Sequence, residues 1–357
     1  MPSRQSDATT LAHMLREDLN SLPAYVPGKR MPDAVKLSSN ESAHAPLPSV
    51  SEAIAESAAQ SHRYPDMGAV ELRRQLATKL GLADENSVTV GTGSSALCQQ
   101  LVTITCQPGD EVIFPWRSFE AYPIFTQITG ATAVPVPLRE LRNDLPAMAD
   151  AITERTRLIF VCNPNNPTGT TISTEEFREF MDRVPADVVV ALDEAYVEYN
   201  TADDTPLATE AVQQYPNVIG LRTFSKSYGL AGLRVGYAFG NPDIIMVLAK
   251  VAIPFSVSAV AQAAAVASLE AADELDERIS ETNQQRDRLA DELGLTQSFA
   301  NFVWIPAESL QDKPQDVAAQ LAESGVLVRA FDEGLRITAT TAEETAALLA
   351  AWEKVTA

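Results

Sequence analysis

Thr223-Phe224-Ser225-Lys226-Ser227-Tyr228-Gly229-Leu230-Ala231-Gly232-Leu233-Arg234-Val235-Gly236 sets one lysine between hydroxyls and a Gly/Ala/Leu turn, with an arginine eight residues on. An amine among apolar neighbours loses its proton more readily, and a neutral amine can form a Schiff base. Hydroxyls and a guanidinium together suit a phosphate dianion, which needs donors as well as positive charge. An isolated Ser-Lys pair is ordinarily a surface loop. What the chain carries upstream decides against that reading.

Asp187-Val188-Val189-Val190-Ala191-Leu192-Asp193-Glu194-Ala195-Tyr196 reads as a buried parallel strand that ends on a carboxylate. Open α/β sheets bind their ligands at that end of the strands. Arg157-Leu158-Ile159-Phe160-Val161-Cys162-Asn163-Pro164-Asn165-Asn166-Pro167-Thr168-Gly169 is a second strand, running into a Pro/Gly turn that can hold the Asn166 amide towards a ligand. Either block alone is also an ordinary strand end or loop. A lysine, a phosphate site and a strand-end carboxylate meet the needs of one aldehyde cofactor, pyridoxal phosphate. Its pyridine nitrogen pairs with a carboxylate, and its ring then acts as an electron sink.

In this order, Asn166-Pro167-Thr168-Gly169, Asp193-Glu194-Ala195-Tyr196 and Ser225-Lys226-Ser227-Tyr228-Gly229-Leu230-Ala231-Gly232-Leu233-Arg234 resemble the fold-type I pyridoxal phosphate aminotransferases. The branch is the one holding the histidinol-phosphate and aromatic amino acid aminotransferases, and the likeness runs from about Leu37 to Thr340. It implies an α/β architecture, with a large domain on a mostly parallel seven-stranded sheet and a smaller α/β C-terminal domain. Residues 1–40 are expected as an N-terminal arm packing with the small domain, 41–250 as the large domain and 251–357 as the small one. The resemblance also implies a catalytic set of Lys226, Asp193 and Tyr196. Lys226 is joined to the cofactor and Asp193 pairs with its pyridine nitrogen. Asn166 and Tyr196 contact its phenolate oxygen, and Thr223, Ser225 and Arg234 contact its phosphate.

Further blocks fill in the site. Gly91-Thr92-Gly93-Ser94-Ser95 follows a strand and opens a helix, with Ala96 where a dinucleotide fingerprint has its third glycine. By itself this is as readily a structural turn as an anion site; beside the other blocks, the amides of Ser94 and Ser95 are expected to hold the phosphate. In Phe114-Pro115-Trp116-Arg117-Ser118-Phe119 the resemblance sets Phe119 on the pyridine ring, and Trp116 competes for that place. The histidinol-phosphate enzymes usually carry tyrosine there. Arg336, on a short apolar strand, can grip a carboxylate with two parallel hydrogen bonds, with Arg329 its nearest rival. Arg336, Arg329, Tyr25 and Asn40 make up the expected substrate site. His62-Arg63-Tyr64-Pro65-Asp66 resembles the segment whose tyrosine reaches the phosphate in the partner subunit, which gives Tyr64 a role across a homodimer interface.

Composition sets outer bounds. At 357 residues the chain exceeds the usual size of one core, so two domains are expected. Acidic residues outnumber basic ones 48 to 27, a formal charge of -21, which argues against nucleic acid and anionic membranes as partners. No apolar run is long enough to span a bilayer, and the polar start Met1-Pro2-Ser3-Arg4 does not read as a secretory signal. Cys98, Cys106 and Cys162 suit neither a disulfide framework nor a metal site, and a reducing cytoplasm is the expected compartment. His13, His44 and His62 stand apart and assemble no triad.

Strands are expected at 88–90, 111–115, 132–136, 188–192, 218–222 and 235–239, alternating with helices that include one opened by the capping box Ser173-Thr174-Glu175-Glu176. A long Ala-rich helical stretch is expected from Ala259 to about Leu293. Short strands then follow over Phe302 to Ile305, Val326 to Arg329 and Leu335 to Thr338.

The expected function is transamination of the aromatic amino acids phenylalanine, tyrosine and tryptophan with 2-oxoglutarate in ping-pong order, giving aryl-pyruvates and glutamate. Lys226 serves as general base at the α-carbon. Histidinol-phosphate transamination is the alternative. Ser39-Asn40-Glu41-Ser42-Ala43-His44-Ala45-Pro46 lacks the Asn-Pro-x-Gly core typical of that branch, and Tyr25-Val26-Pro27-Gly28-Lys29 resembles the aromatic (phenylalanine) enzymes. A lyase or decarboxylase would share Lys226 and Asp193. A cofactor-binding domain of a transcription regulator would need a DNA-binding module, for which the residues before Leu37 are too few. A scaffold without activity leaves the coincidence of strand-end motifs unexplained.

Overall fold

The computed structural model describes residues 16–22 and 31–356. In chain order the strands are Val35–Lys36 (β1), Val88–Gly91 (β2), Glu111–Trp116 (β3), Thr132–Pro137 (β4), Thr156–Cys162 (β5), Val189–Asp193 (β6), Val218–Thr223 (β7), Gly236–Gly240 (β8), Phe302–Pro306 (β9), Val326–Leu327 (β10), Arg329–Phe331 (β11) and Gly334–Thr338 (β12). The helices are Pro48–Ala58 (α1), Val70–Leu80 (α2), Ser94–Thr105 (α3), Ala121–Thr129 (α4), Leu145–Asp150 (α5), Thr174–Met181 (α6), Ala208–Gln214 (α7), Pro242–Val251 (α8), Ala259–Glu270 (α9), Ala272–Leu293 (α10), Pro314–Glu323 (α11) and Ala342–Thr356 (α12).

β2 to β8 form one seven-stranded sheet in the order β2-β8-β7-β6-β5-β3-β4. The strands from β7 to β4 run parallel, and β8 points against both of its neighbours. Parallel neighbours require crossovers, so helices cover both faces and the strands have no polar side. β6 illustrates the consequence. Val190 and Leu192 enter one core with Ile113, Ile159 and Val161, while Ala191 enters the other with Val112, Leu158 and Phe160.

The strand order also places the site. From β3 the chain crosses outward to β4 and then returns to β5 on the other side. The loops after β3 and β5 therefore diverge and open a crevice at the carboxyl ends of the strands.

A second, antiparallel sheet has the order β11-β12-β9. It has its own core, which includes Leu37, Val303, Ile305, Leu335, Ile337 and Leu348. β1 pairs in parallel with β10, and the Thr338 N–H donates to the Leu37 carbonyl at 2.9 Å. This stitching fixes the path of the chain into Ser39 and Asn40, which reach the crevice.

Two expectations about elements are corrected. The stretch from Ala259 to Leu293 is two helices, because the backbone leaves the helical region at Ala271 (φ -96°, ψ 41°). Neither Gly nor Pro marks the break. Asp273 and Glu274 in the first turn of α10 do, since carboxylates suit the positive end of a helix dipole. Val326 to Arg329 is not one strand: β10 and β11 belong to different sheets. α1 and α2 add to the expected elements; α2 buries Leu72, Leu76 and Leu80 at four-residue spacing. Among the described residues, no helix is long and apolar enough to cross a membrane.

Candidate active site

The carboxyl ends of β5, β6 and β7, the loop after β3 and the N-terminus of α3 meet at a cavity of about 570 Å³. Ser94, Ser95, Phe119, Asn166, Asp193, Tyr196, Thr223, Ser225, Lys226, Arg234, Arg329, Arg336 and Asn40 all line it. Residues up to 298 positions apart in sequence are brought together, as with Ser38 and Arg336.

Lys226 stands in the turn that follows β7, with Nζ 3.3 Å from the Ser39 carbonyl and 5.7 Å from the centre of the Tyr196 ring. Burial lowers its pKa from 10.5 to about 7. The positive charge of Arg336 adds to this, while Glu41 pulls the other way. Near neutrality such an amine is available both as a nucleophile and as a base.

Asp193 is the last residue of β6. Its Oδ2 accepts a hydrogen bond from the Tyr122 hydroxyl at 2.6 Å. Its Oδ1 is buried with no hydrogen-bond partner among the described residues. Burial raises this carboxyl from 3.8 to about 6, and the Tyr122 bond opposes the rise. A buried acceptor left open at a cavity wall calls for a donor from a bound group. The neighbouring Glu194 is fully engaged by the fold. Its Oε1 accepts from the Ala208 N–H at the start of α7, and its Oε2 pairs with Arg222, each at 2.7 Å.

Opposite lies an anion cradle. Gly93 (φ 81°) precedes α3, whose first residues are Ser94 and Ser95. Arg234, also left-handed at φ 57°, donates from Nη1 to Ser225 Oγ at 3.2 Å, and Thr223 Oγ1 donates to the same oxygen at 3.0 Å. A β-carbon on Gly93 would lie 2.5 Å from Arg234 Nη2, so only glycine lets the guanidinium close against the turn. Helix N–H groups, two hydroxyls and a guanidinium converge here as a phosphate requires.

On the third side, Arg336 Nη1 donates to Asn166 Oδ1 at 2.5 Å and Nη2 to the Ser38 carbonyl at 2.8 Å. Its guanidinium lies near the rings of Phe302 and Phe331, 5.5 and 5.7 Å from their centres. Asn40, left-handed at φ 55°, donates to the Tyr196 hydroxyl at 2.9 Å and accepts from Thr338 at 3.0 Å. Phe119, Ile124 and Phe125 provide an apolar wall.

The family model for class I and II aminotransferases matches residues 32–351. The chain belongs to this family. It is 63% identical to an aromatic amino acid aminotransferase of Corynebacterium efficiens over 96% of this chain and 99% of that one. It is 61% identical to one of Corynebacterium glutamicum over 96% and 100%. Among solved structures it is similar to a histidinol-phosphate aminotransferase of Sinorhizobium meliloti in complex with pyridoxal-5'-phosphate (29% identity, 90% of each chain, TM-score 0.82). It is also similar to a single mutant of the aspartate aminotransferase of Thermus thermophilus (27%, 90% and 92%, TM-score 0.79). The fold-type I architecture is therefore that of this chain.

Other residues of this aminotransferase singled out in the sequence lie elsewhere. Trp116 does not line the cavity; it packs against Phe114 and lies under the Arg117 guanidinium, so of the two candidates Phe119 is the one at the site. Tyr64 is 82% exposed and stacks on Phe255 with ring centres 4.5 Å apart, outside the cavity of its own chain. Tyr25 lies outside the described residues. Cys162 lines the cavity, but burial pushes its thiol up to about 12, which keeps it protonated. His44 approaches Glu281 at 3.2 Å, away from the cavity lining.

Sequence reasoning missed Tyr122 and Glu120. Tyr122 is fully buried and stacked on Phe160 (4.4 Å, 12°), which fixes its hydroxyl on Asp193. Glu120 lines the cavity and pairs with Arg329 at 2.9 Å. Both closely follow Phe119 in the chain, and that proximity was the available signal.

Proposed function

We propose that this chain is a pyridoxal phosphate-dependent aromatic amino acid aminotransferase, passing the amino group of phenylalanine, tyrosine or tryptophan to 2-oxoglutarate. One feature of the site carries the reading. Arg336, positioned by Asn166 and the Ser38 carbonyl, stands beside the apolar wall of Phe119, Ile124 and Phe125. The names of the curated relatives agree with it.

The residues fit the cofactor. Lys226 would hold its aldehyde carbon, and the open Oδ1 of Asp193 would hold its pyridine N–H. Tyr196 and Asn166 would face its phenolate oxygen, and Phe119 its ring. Ser94, Ser95, Thr223, Ser225 and Arg234 would take its phosphate. When bound, the cofactor supplies an electron sink for charge developing at the substrate α-carbon. Arg336 receives the α-carboxylate and so fixes which α-substituent faces Lys226. The Lys226 amine would also serve as the base that removes the α-proton. A base with a pKa near 7 does this efficiently at neutral pH. Donor and acceptor use one site in turn, which is ping-pong order. The working unit is a homodimer to which Tyr64 contributes across the interface.

Histidinol phosphate, the alternative donor, fits less well, because its phosphate needs a further cation and would have to displace Glu120 from Arg329 to gain one. Initial rates with phenylalanine and with histidinol phosphate, both with 2-oxoglutarate, decide the matter. The expected outcome is kcat/KM for phenylalanine at least about 100-fold higher, roughly 2.7 kcal/mol of discrimination. Preference for histidinol phosphate would reverse the assignment.

A further inference from the structure

We propose that Glu120 determines specificity by competing with the distal anion of a substrate for Arg329. This deepens the function proposed above and rests on it. Glu120 follows Phe119 immediately before α4, and Arg329 opens β11 in the second sheet; both line the cavity. Arg329 Nη2 donates to Glu120 Oε2 at 2.9 Å.

A second ion pair spans the same two segments. Arg117 grips both carboxylate oxygens of Glu333 at 3.0 and 3.1 Å, and its guanidinium lies over the ring of Trp116 at 4.4 Å. Glu333 is in the β11–β12 turn, so the hairpin is fastened to the loop after β3 at two points. The fastening holds the Glu120 carboxylate against Arg329 rather than leaving it to sample solvent.

The consequence is electrostatic. A substrate with an anionic side chain gains attraction from Arg329 only by displacing or repelling the carboxylate already there. A neutral aromatic ring meets no such competitor and packs on Phe119, Ile124 and Phe125. Glu120 therefore disfavours anionic donors. Since 2-oxoglutarate carries a second carboxylate, Glu120 must also yield whenever the acceptor enters. The side chains of Arg329 and Glu120 are 17% and 32% exposed and both line the cavity, so the pair lies where an entering carboxylate can compete for the guanidinium. Glu120 thus sets the balance between an apolar donor and a dianionic acceptor in one cavity.

The test is equilibrium binding to the cofactor-loaded protein by isothermal titration calorimetry, with two unreactive probes. Glutarate offers two carboxylates; 3-phenylpropionate offers one carboxylate and a ring. Glu120→Gln is expected to raise the ratio of glutarate to 3-phenylpropionate affinity about tenfold, ~1.4 kcal/mol. Adding Arg329→Gln should abolish the rise, whereas a merely structural role for Glu120 would weaken both probes together. Glu120→Asp, which retracts the carboxylate by one methylene, should shift the ratio the same way to a smaller extent, and it serves if Glu120→Gln fails to fold. An unchanged or lowered ratio overturns the proposal and leaves the aromatic reading standing. If neither probe binds the unsubstituted protein, the reading of the site falls and the proposal with it.

Discussion

At the scale of single residues, the site holds two groups in costly ionisation states. Asp193 titrates near 6 in the folded chain against 3.8 unfolded. Between those values the folded state keeps a proton that the unfolded state has released. Stability from this group therefore falls as pH rises from about 4 to about 6 and stays low above that. Lys226 acts in a separate window. Its pKa of about 7, against 10.5, makes the folded state more stable as pH rises through that interval. Because the windows do not overlap, the Asp193 contribution can be isolated. In cofactor-free protein, Asp193→Asn should melt at a higher temperature than the parent at pH 7.5, and the gain should vanish by about pH 4. The same variant should lose transamination by orders of magnitude, since an amide cannot hold a pyridinium proton. Thermal melts across pH check the first point and turnover the second. A variant less stable than the parent at pH 7.5 would show that Asp193 is not strained by burial. The arrangement is a trade of stability for a charge placed where bound cofactor can use it.

At the scale of elements, the anion cradle depends on how closely β8 approaches α3. A β-carbon on Gly236 would lie 2.4 Å from Ser94 N, 2.8 Å from Gly93 C and 3.0 Å from the Arg222 carbonyl oxygen. All three are backbone atoms and cannot swing aside. At Gly91 the contact is the Leu97 side chain at 2.9 Å, which can repack. Gly236→Ala should therefore weaken binding of pyridoxal phosphate by about tenfold or more. It should affect unphosphorylated pyridoxal far less, and Gly91→Ala should be milder on both. Fluorescence titration of the cofactor-free protein compares them; equal losses with both cofactors would place the damage outside the cradle. The strand-end motifs were readable from sequence because each joins a buried apolar run to residue types that a turn or an anion demands. Lys226, Asp193 and Arg234 belong to this class. Tyr122 was not readable. Its partner Asp193 is 71 residues away, and a tyrosine in an apolar helix looks like core. The break at Ala271 was hidden for a related reason, as no residue there forbids helix. Whether Trp116 or Phe119 faced the cavity depended on how the chain leaves β3, a three-dimensional matter that spacing does not carry.

At the scale of the whole molecule, a formal charge of -21 sets a net repulsion between copies of the chain. Stable self-association then needs a compensating apolar area. Tyr64, Met67 and Ile253 are 82%, 66% and 74% exposed, an unusual cost for residues of this size in a protein working alone. Tyr64 stacks on Phe255, so the segment before α2 and the segment after α8 form a joint surface. We assign this surface to the proposed homodimer, and it can be tested without disturbing the cavity. Ile253→Asp adds a charge to an area that would become buried, a change that costs several kcal/mol at an interface. Sedimentation velocity should show the variant shifted from dimer to monomer, with cofactor retention lost in step. Tyr64→Phe separates the two roles of this surface. It keeps the ring and its stacking, so the dimer should persist. It removes the hydroxyl expected to reach the partner's phosphate site, so pyridoxal phosphate affinity should drop while pyridoxal affinity holds. A monomeric parent protein with full activity would sink the dimer altogether. A dimeric Tyr64→Phe variant with unaltered phosphate dependence would keep the dimer and remove Tyr64 from the site, leaving the start of α3, Thr223, Ser225 and Arg234 as the phosphate's support.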